Sequence, residues 1–242
     1  MIEDFLTKIR RRLPIGAEEE AALRAGMGDV VAVTPGQRVV LHGVELDRCK
    51  LLLEGMVVRH KELRNGERQI LEIHINGDFV DLHSYPLGKL DHDITALVPS
   101  RFVEISHQNI KALCAAFPLL ARAFWFSTLL DASIQREAML TLGRRPAVAR
   151  IAHLFCELQV RLAIIGKARS DSYSLRLTQI ELSEIVGLTP VHVNRTLREL
   201  RERGLVTFRN GTVDIHDLRG LRNLAEFTTD YLYLDQLPSR DD

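Results

Sequence analysis

The chain has 242 residues, of which 46% are hydrophobic and 26% are charged, and its formal net charge at pH 7 is zero. This composition is typical of a globular protein with one large domain or two smaller ones. No apolar run approaches the roughly 20 residues that a membrane span needs, and the N-terminus lacks the apolar stretch of a signal peptide. The sequence therefore predicts a cytoplasmic protein that has no membrane partner.

Sequence signatures of enzymes and of metal-bound folds are missing. The chain contains no nucleophile elbow, P-loop, HExxH motif or dinucleotide-binding fingerprint, so we do not expect an enzyme. Its three cysteines, Cys49, Cys114 and Cys156, are odd in number and widely spaced. That pattern predicts neither a disulfide framework nor a zinc site, and no metal site is assigned from the sequence.

The first 28 residues predict one or two short helices. Ile2, Phe5, Leu6 and Ile9 form an apolar stripe at helical spacing. The basic run of residues 10–12 that follows predicts a solvated face, because three charges make a short run.

Residues 29–110 change to short β-prone runs that are separated by turn signals. Those signals include Pro35-Gly36, Asn65-Gly66 and Asn76-Gly77-Asp78. Many short strands at this spacing predict a barrel or a jelly roll.

Helical periodicity returns after the predicted N-cap Ser106, with a break at Phe117-Pro118 before a long helix. This helix is apolar on more than one side and so needs two partners. One partner is the β-domain, and the other is either the same helix of a second chain or the rest of its own monomer. The predicted homodimer interface consists of Leu119, Ala123, Phe126, Leu130 and Ile134.

A break at residues 143–146, Gly-Arg-Arg-Pro, predicts a hinge. We therefore divide the chain into a jelly-roll domain with flanking helices at 1–117, a central helix with its hinge at 118–143, and a C-terminal domain at 144–242. Within the last segment, residues 166–174 predict a polar loop, and the acidic chain end predicts a frayed terminus.

Residues 177–206 predict two helices joined by a tight turn. Thr178 with Glu181 three residues later fits a capping box, and Gly187 suits the turn. Thr189 and Pro190 suit the beginning of the second helix. Val193, Leu197 and Leu200 share one face of that helix, which is predicted to dock on the first helix.

The opposite face of the second helix is polar. Short helix, glycine turn and second helix are typical of a helix-turn-helix, although an ordinary αα-hairpin has the same spacing. A strand, an Asn210-Gly211 turn and another strand follow, which predicts the wing of a winged helix. Residues 144–209 also carry 12 Lys and Arg against 6 Asp and Glu, the charge expected of a segment that contacts phosphates. The residues predicted to bind double-stranded DNA are Thr178, Gln179, Thr189, Pro190, His192, Asn194, Arg195 and Arg198.

The chain resembles the CRP/FNR family of bacterial transcription regulators over nearly its whole length. The most specific match is Ile185-Val-Gly-Leu-Thr189 leading into Val193-Asn-Arg195. The positions of the glycine-containing turns in residues 29–110 also match. The resemblance implies an α+β fold with an N-terminal cyclic-nucleotide-binding-like β jelly roll, a long central dimerisation helix and a C-terminal winged helix-turn-helix. It also implies a homodimer that binds two-fold-symmetric operators and contacts RNA polymerase.

The candidate effector pocket of such a protein comprises Gly77, Asp78, His83, His92 and Thr95 here. Where cyclic-AMP-binding members carry an arginine, this sequence has Asp91, His92 and Asp93, and two carboxylates repel a phosphate. We therefore expect no response to cyclic AMP. No cysteine precedes Cys49, and a standard iron–sulfur cluster needs four thiolates, so no cluster is expected.

The sequence leaves the signal and one functional alternative open. A metal or haem bound by the histidines of the β-domain, an apolar small molecule and control by abundance are all compatible with it. The alternative to a DNA-binding regulator is a ligand-binding module that regulates a protein partner.

Overall fold

The computed structural model describes residues 2–234, and the predicted frayed terminus lies outside the described residues. Two compact units divide the chain. The described part of the first comprises residues 2–61, 72–133 and 232–234, and the second comprises 62–71 and 134–231. None of the described helices is long and apolar enough to cross a membrane.

Two helices begin the first unit, α1 at Glu3–Arg10 and α2 at Ala17–Gly26. The predicted apolar stripe of α1 is confirmed, since its four members are at most 3% exposed. The prediction of a solvated basic run is wrong for Arg12, which is 5% exposed. Its guanidinium donates to the carbonyl oxygens of Leu232 at 2.7 Å and Tyr233 at 3.0 Å, and lies over the Phe126 ring. Those carbonyls compensate the burial of a charge that the sequence pattern alone assigns to solvent.

The predicted jelly roll is confirmed. Its elements are β1 Val30–Val33, β2 Arg38–Val40, β3 Arg48–Glu54, β4 Met56–Glu62, β5 Arg68–Ile75, α3 Ser84–Leu87, β6 Asp93–Ala96 and β7 Ser100–Ser106. The strands form two sheets of order β1-β7-β3 and β2-β6-β4-β5, and β7 pairs antiparallel with β1 and β3, as β6 does with β2 and β4. Large apolar side chains such as Leu52, Ile94 and Phe102 fill the space that the strands enclose.

Helix α4, His107–Ala116, begins where predicted, because the Ser106 side chain accepts from the Asn109 backbone N–H at 3.0 Å. The long helix α5 spans Pro118–Arg144, ending one residue beyond the predicted boundary. Pro146 then serves as N-cap of α6, so the chain breaks between α5 and α6 as the sequence indicates.

The second unit is organised around α6, whose Ile151, Phe155 and Leu158 are fully buried. Its elements are α6 Ala147–Ile164, β8 Ser172–Ser174, α7 Gln179–Val186, α8 Pro190–Glu202, β9 Val206–Arg209, β10 Thr212–Ile215 and α9 Leu218–Ala225. A short 3-10 helix at Asp230–Leu232 begins in this unit and ends at the first residue of the returning segment of the first unit. The loop prediction for residues 166–174 is wrong at its end. Residues 172–174 form β8, which pairs with β10 to give a sheet of order β8-β10-β9.

Candidate nucleic-acid interface and the interior of the β-domain

Capping residues and a glycine that are recognisable in the sequence determine where α7 begins and ends and where α8 begins. The Thr178 side chain accepts from the Glu181 backbone N–H at 3.1 Å, and the Glu181 carboxylate accepts from the Thr178 backbone N–H at 2.6 Å. Gly187 ends α7 with φ of 64°, in the left-handed region where a side chain is disfavoured. Thr189 caps α8 by accepting from the His192 backbone N–H at 3.2 Å. The predicted turn chemistry is therefore confirmed.

The inward face of α8 differs by one residue from the prediction. Val193 and Leu200 are fully buried, but Thr196 is also buried at 2% exposure, and Leu197 is only half-buried. Thr196 is tolerated inside because its hydroxyl donates to the His192 carbonyl oxygen at 2.9 Å. This rotation leaves Asn194, Arg195 and Arg198 exposed together.

The exposed polar side chains of α7 and α8 are already held by one another. The Asn194 amide donates to the Gln179 side-chain oxygen at 2.7 Å, which links the two helices. Arg195 Nη2 lies 2.9 Å from His192 Nε2, one turn back on the same helix. The contact with His192 fixes the Arg195 side chain before a partner arrives, which lowers the entropy cost of binding through Arg195.

A concave groove of about 770 Å³ lies between α8 and the wing. Its rim is basic, with Arg198 and Arg201 from α8 and Arg209 from β9. At the tip of the wing, Asn210 and Gly211 have φ of 53° and 71°, as a type I′ hairpin turn requires. A groove flanked by a helix and lined with cations suits a polyanion.

All eight residues predicted to bind DNA belong to α7, α8 or the caps immediately before them, and His192 alone is not fully exposed. Thr178 and Thr189 act as helix caps here. Sequence reasoning missed Val191, which is 80% exposed beside the polar residues of α8, and it missed Arg201 and Arg209. Helical spacing could have identified two of them. Val191 is three residues before Asn194 and Arg201 is three residues after Arg198, so all four lie on one face of the helix.

Two family models match the chain in the order of its two folds. Residues 30–117 match the cyclic nucleotide-binding domain, and residues 149–224 match the Crp-like helix-turn-helix domain. This chain belongs to the CRP/FNR family of transcription regulators. The chain is therefore a DNA-binding transcription regulator with a helix-turn-helix domain. The family is one of regulators and not of enzymes.

Transcription regulators of known name are similar in sequence to most of this chain. The nitrogen fixation regulation protein FixK of Rhizobium meliloti is 25% identical over 202 residues, covering 81% of this chain and 87% of that protein. The fumarate and nitrate reduction regulatory protein of Escherichia coli is 22% identical over 196 residues, covering 81% and 78%. Among solved structures, that of FixK2 from Bradyrhizobium japonicum has a TM-score of 0.75 at 21% identity and covers 83% of this chain and 98% of that one. This likeness confirms the fold.

The candidate effector residues of this CRP/FNR protein fall into three places. Gly77 backs onto α1, where an added Cβ would lie 2.6 Å from the Asp4 carbonyl carbon, and Asp78 accepts from Lys8 Nζ at 2.6 Å. The His83 and His92 rings lie 5.3 Å apart. Thr95 Oγ1 lies 2.8 Å from His60 Nε2, on the neighbouring strand β4.

Burial disfavours the charged form of both the His83 and the His92 imidazole. It lowers the pKa of His83 to about 3 and also lowers the pKa of His92, with the Arg59 charge adding to the effect in each case. Asp91 accepts from Lys61 and lies 2.9 Å from His92 Nδ1, and these contacts lower the pKa of its carboxyl.

Sequence reasoning missed a buried charge cluster in the same domain. Arg59 donates to Glu72 Oε2 at 2.7 Å, to the Val80 carbonyl oxygen at 3.1 Å and to Asp131 Oδ2 at 3.2 Å. Burial and the Glu72 carboxylate raise the pKa of Asp131 well above its usual value. The sequence does contain a signal for buried charges, because charged residues occur within apolar β-prone runs. Arg59 directly follows Met56-Val-Val, and Glu72 lies between Leu71 and Ile73 on β5.

The three thiols do not fit an iron–sulfur cluster. Cys49 belongs to the first unit and Cys156 to the second, and burial raises the pKa of each to about 12. Burial also raises the pKa of Cys114. Cluster ligation requires thiolates, which these environments disfavour.

Proposed function

We propose that this CRP/FNR regulator binds two-fold-symmetric operators as a homodimer, and that its signal is not a cyclic nucleotide. The observation that carries the DNA-reading part is the exposed face of α8, with Asn194 and Arg195 beside a basic groove. The width of α8 suits the major groove of B-DNA, where such side chains meet base edges.

Each side chain on this face receives a role from its chemistry. Arg195 suits guanine O6 and N7, and Asn194 suits adenine N6 and N7 once it releases Gln179. Val191 offers an apolar surface for a thymine methyl group. Arg198, Arg201 and Arg209, at the rim of the groove, suit phosphates, which position the protein without reading sequence.

The homodimer is supported by an apolar stripe on α5. The first unit exposes Trp125 at 70% and Leu129 at 53%, and the second exposes Met139 at 75%. These positions, with Ala132 and the exposed Arg136 between them, follow spacings of four and three residues along α5, which is the pattern of a two-stranded coiled coil with one charged position in it. Exposed side chains of this size along one helix are unusual for a monomer.

The proposed seam therefore differs from the residues predicted from sequence. Ala123 is fully buried and Ile134 is 6% exposed within the single chain, while Leu119, Phe126 and Leu130 are half-buried. Phe124, next to Ala123, contacts the Phe79 ring edge-on, so this side of α5 faces the β-domain. The five predicted positions therefore face mainly the interior of the single chain, and we place the dimer interface on the neighbouring face of α5, which carries Trp125.

RNA polymerase is the further partner that the family implies, and no surface of this chain is assigned to it. The test of the proposal is selection of bound sequences from a random DNA pool by the full-length protein. We expect a two-fold-symmetric sequence with a conserved G·C pair in each half and an affinity that falls steeply with salt. Failure to retain DNA at low salt would favour the alternative of a protein partner.

Cyclic AMP and cyclic GMP are expected not to bind at micromolar concentrations. Asp91 is exposed beside His92, and its carboxylate at about 5 Å from a cyclic phosphate would cost about 0.8 kcal/mol even in water. The cations of this region already have carboxylate partners: Lys61 Nζ lies 2.8 Å from Asp91, Arg59 is bound to Glu72 and Asp131, and Arg101 Nη1 lies 3.9 Å from Glu54 Oε2. Burial lowers the pKa of His92, which disfavours the imidazolium form.

Titration calorimetry of the parent protein checks this expectation, with the Asp78→Asn variant as a companion. A micromolar dissociation constant for either nucleotide that is lost in the variant would show a working cyclic-nucleotide pocket and contradict this part of the proposal.

A further inference from the structure

Three side chains with metal-ligating atoms come together inside the first unit. Potential ligand atoms of Glu72, His74 and Asp131 all lie within 4.8 Å of one another. Glu72 and His74 are two residues apart on β5, so their side chains project from the same face of the strand. Asp131 belongs to α5. We propose that these three residues bind one divalent transition-metal ion.

The donor set selects the class of ion. One imidazole nitrogen and two carboxylate oxygens suit Zn²⁺, Fe²⁺ or Mn²⁺, and a set without thiolate does not suit Cu⁺. Bonds from zinc to such ligands are about 2.0–2.2 Å long, so the three groups must close in by roughly an ångström. The carboxylates of Glu72 and Asp131 would have to exchange their contacts with Arg59 for contacts with the ion.

The surrounding charges leave room for a cation. The carboxylates that face this region are Glu72, Asp131, Asp78 and Asp81, and the cations are Arg59, Lys8 and Lys50. The four carboxylates outnumber the three cations by one when all are ionised, and binding of a metal ion releases any proton held by Asp131. Arg59 supplies the positive charge between Glu72 and Asp131 and competes with the ion, so we expect moderate affinity.

An entry path is also present. Glu72 and His74 are 4% and 0% exposed, but the Asp131 side chain is 20% exposed. Asp131 also lines a small surface pocket together with Lys8, Asp78 and Phe126. An ion bound there would tie β5 to α5. That link would make metal supply a signal to the central helix, a consequence that rests on the proposed function.

The test uses full-length protein stripped with a chelator and titrated with Co²⁺, a probe for zinc and iron sites. We expect about one Co²⁺ per chain, visible d–d absorption and a metal-dependent rise in melting temperature. Replacing a residue that only hydrogen-bonds to a metal ligand typically lowers metal affinity by about 10–100-fold. Replacing a ligand itself, as in His74→Gln or Asp131→Asn, is therefore expected to lower Co²⁺ affinity by about tenfold or more. His42→Gln, which removes an exposed histidine of the same domain, is the matched control and is expected to bind normally.

Several outcomes would overturn the proposal. No Co²⁺ bound by the parent at micromolar concentrations would do so, as would unchanged binding by Asp131→Asn, the near-isosteric variant, with a native circular dichroism spectrum. Loss of binding in His83→Gln or His92→Gln with normal binding in His74→Gln would place the ion at the other histidine pair. DNA is not part of the assay, so failure of the proposed operator binding is recorded separately.

Discussion

Trp125→Glu is expected to weaken dimerisation by about 1,000-fold or more. A two-fold axis along the α5 stripe would bury Trp125 of both chains, and a tryptophan at the centre of an interface contributes about 2 kcal/mol or more. Two such losses amount to about 4 kcal/mol, which is about three decades in the dissociation constant. The variant also brings two carboxylates towards each other at the axis, which adds repulsion.

The chain offers a direct probe of this interface. Trp125 is the single tryptophan of the sequence and is 70% exposed in one chain. Dimerisation at α5 is expected to shift its emission to shorter wavelength and to shield it from acrylamide, and dilution is expected to reverse both changes. Light scattering should give twice the 27.4 kDa of one chain for the parent and the monomer mass for Trp125→Glu.

Two controls make the result specific to α5. Leu87→Glu removes another exposed apolar side chain of the first unit, 64% exposed on α3, and is expected to leave the dimer intact. Trp125→Phe keeps an aromatic ring and is expected to retain most of the affinity. A parent protein that is monomeric at micromolar concentrations would contradict both the dimer and the symmetric operator.

The contrast between the helix-turn-helix and α5 shows what sequence patterns decide. The caps at Thr178 and Thr189 and the turn at Gly187 are local interactions, formed by residues within four positions of one another. Their signals are therefore readable one after another along the chain. The inward face of α5 is different, because Phe124 and Trp125 are equally apolar, and it is the contact of Phe124 with Phe79 that turns Trp125 outward.

The sequence can mark Arg59 and Glu72 as buried charges, but it cannot identify their partners, for a related reason. Arg59 meets Glu72 and Asp131 across 13 and 72 positions of sequence. Their pairing depends on the register of β4 and β5 and on the placement of α5, none of which hydrophobic periodicity specifies. His83 and His92 are near each other in sequence and so suggest a shared site, whereas His74 lies alone in a strand pattern.

Arg195→Ala is expected to abolish operator discrimination while leaving weak binding to any DNA. A bidentate contact from Arg to guanine contributes about 1–3 kcal/mol, and a symmetric dimer makes it twice, for about 2–6 kcal/mol in total. The contact to His192 uses Arg195 Nη2, and the guanidinium has five N–H donors, so donors remain for guanine O6 and N7. His192 thereby orients the side chain towards the groove.

Two further variants separate base reading from charge. Arg195→Lys keeps the charge but loses the planar fork, so it should resemble Arg195→Ala in discrimination and exceed it in affinity. Arg201→Ala removes a rim charge and should weaken binding to all sequences alike, lowering the salt slope by about one for each chain. Mobility-shift competition between the selected operator and a version with each G·C pair replaced measures the discrimination. Equal discrimination by the parent and Arg195→Ala would assign base reading to other residues of α8, and Val191 and Asn194 would be the next to replace.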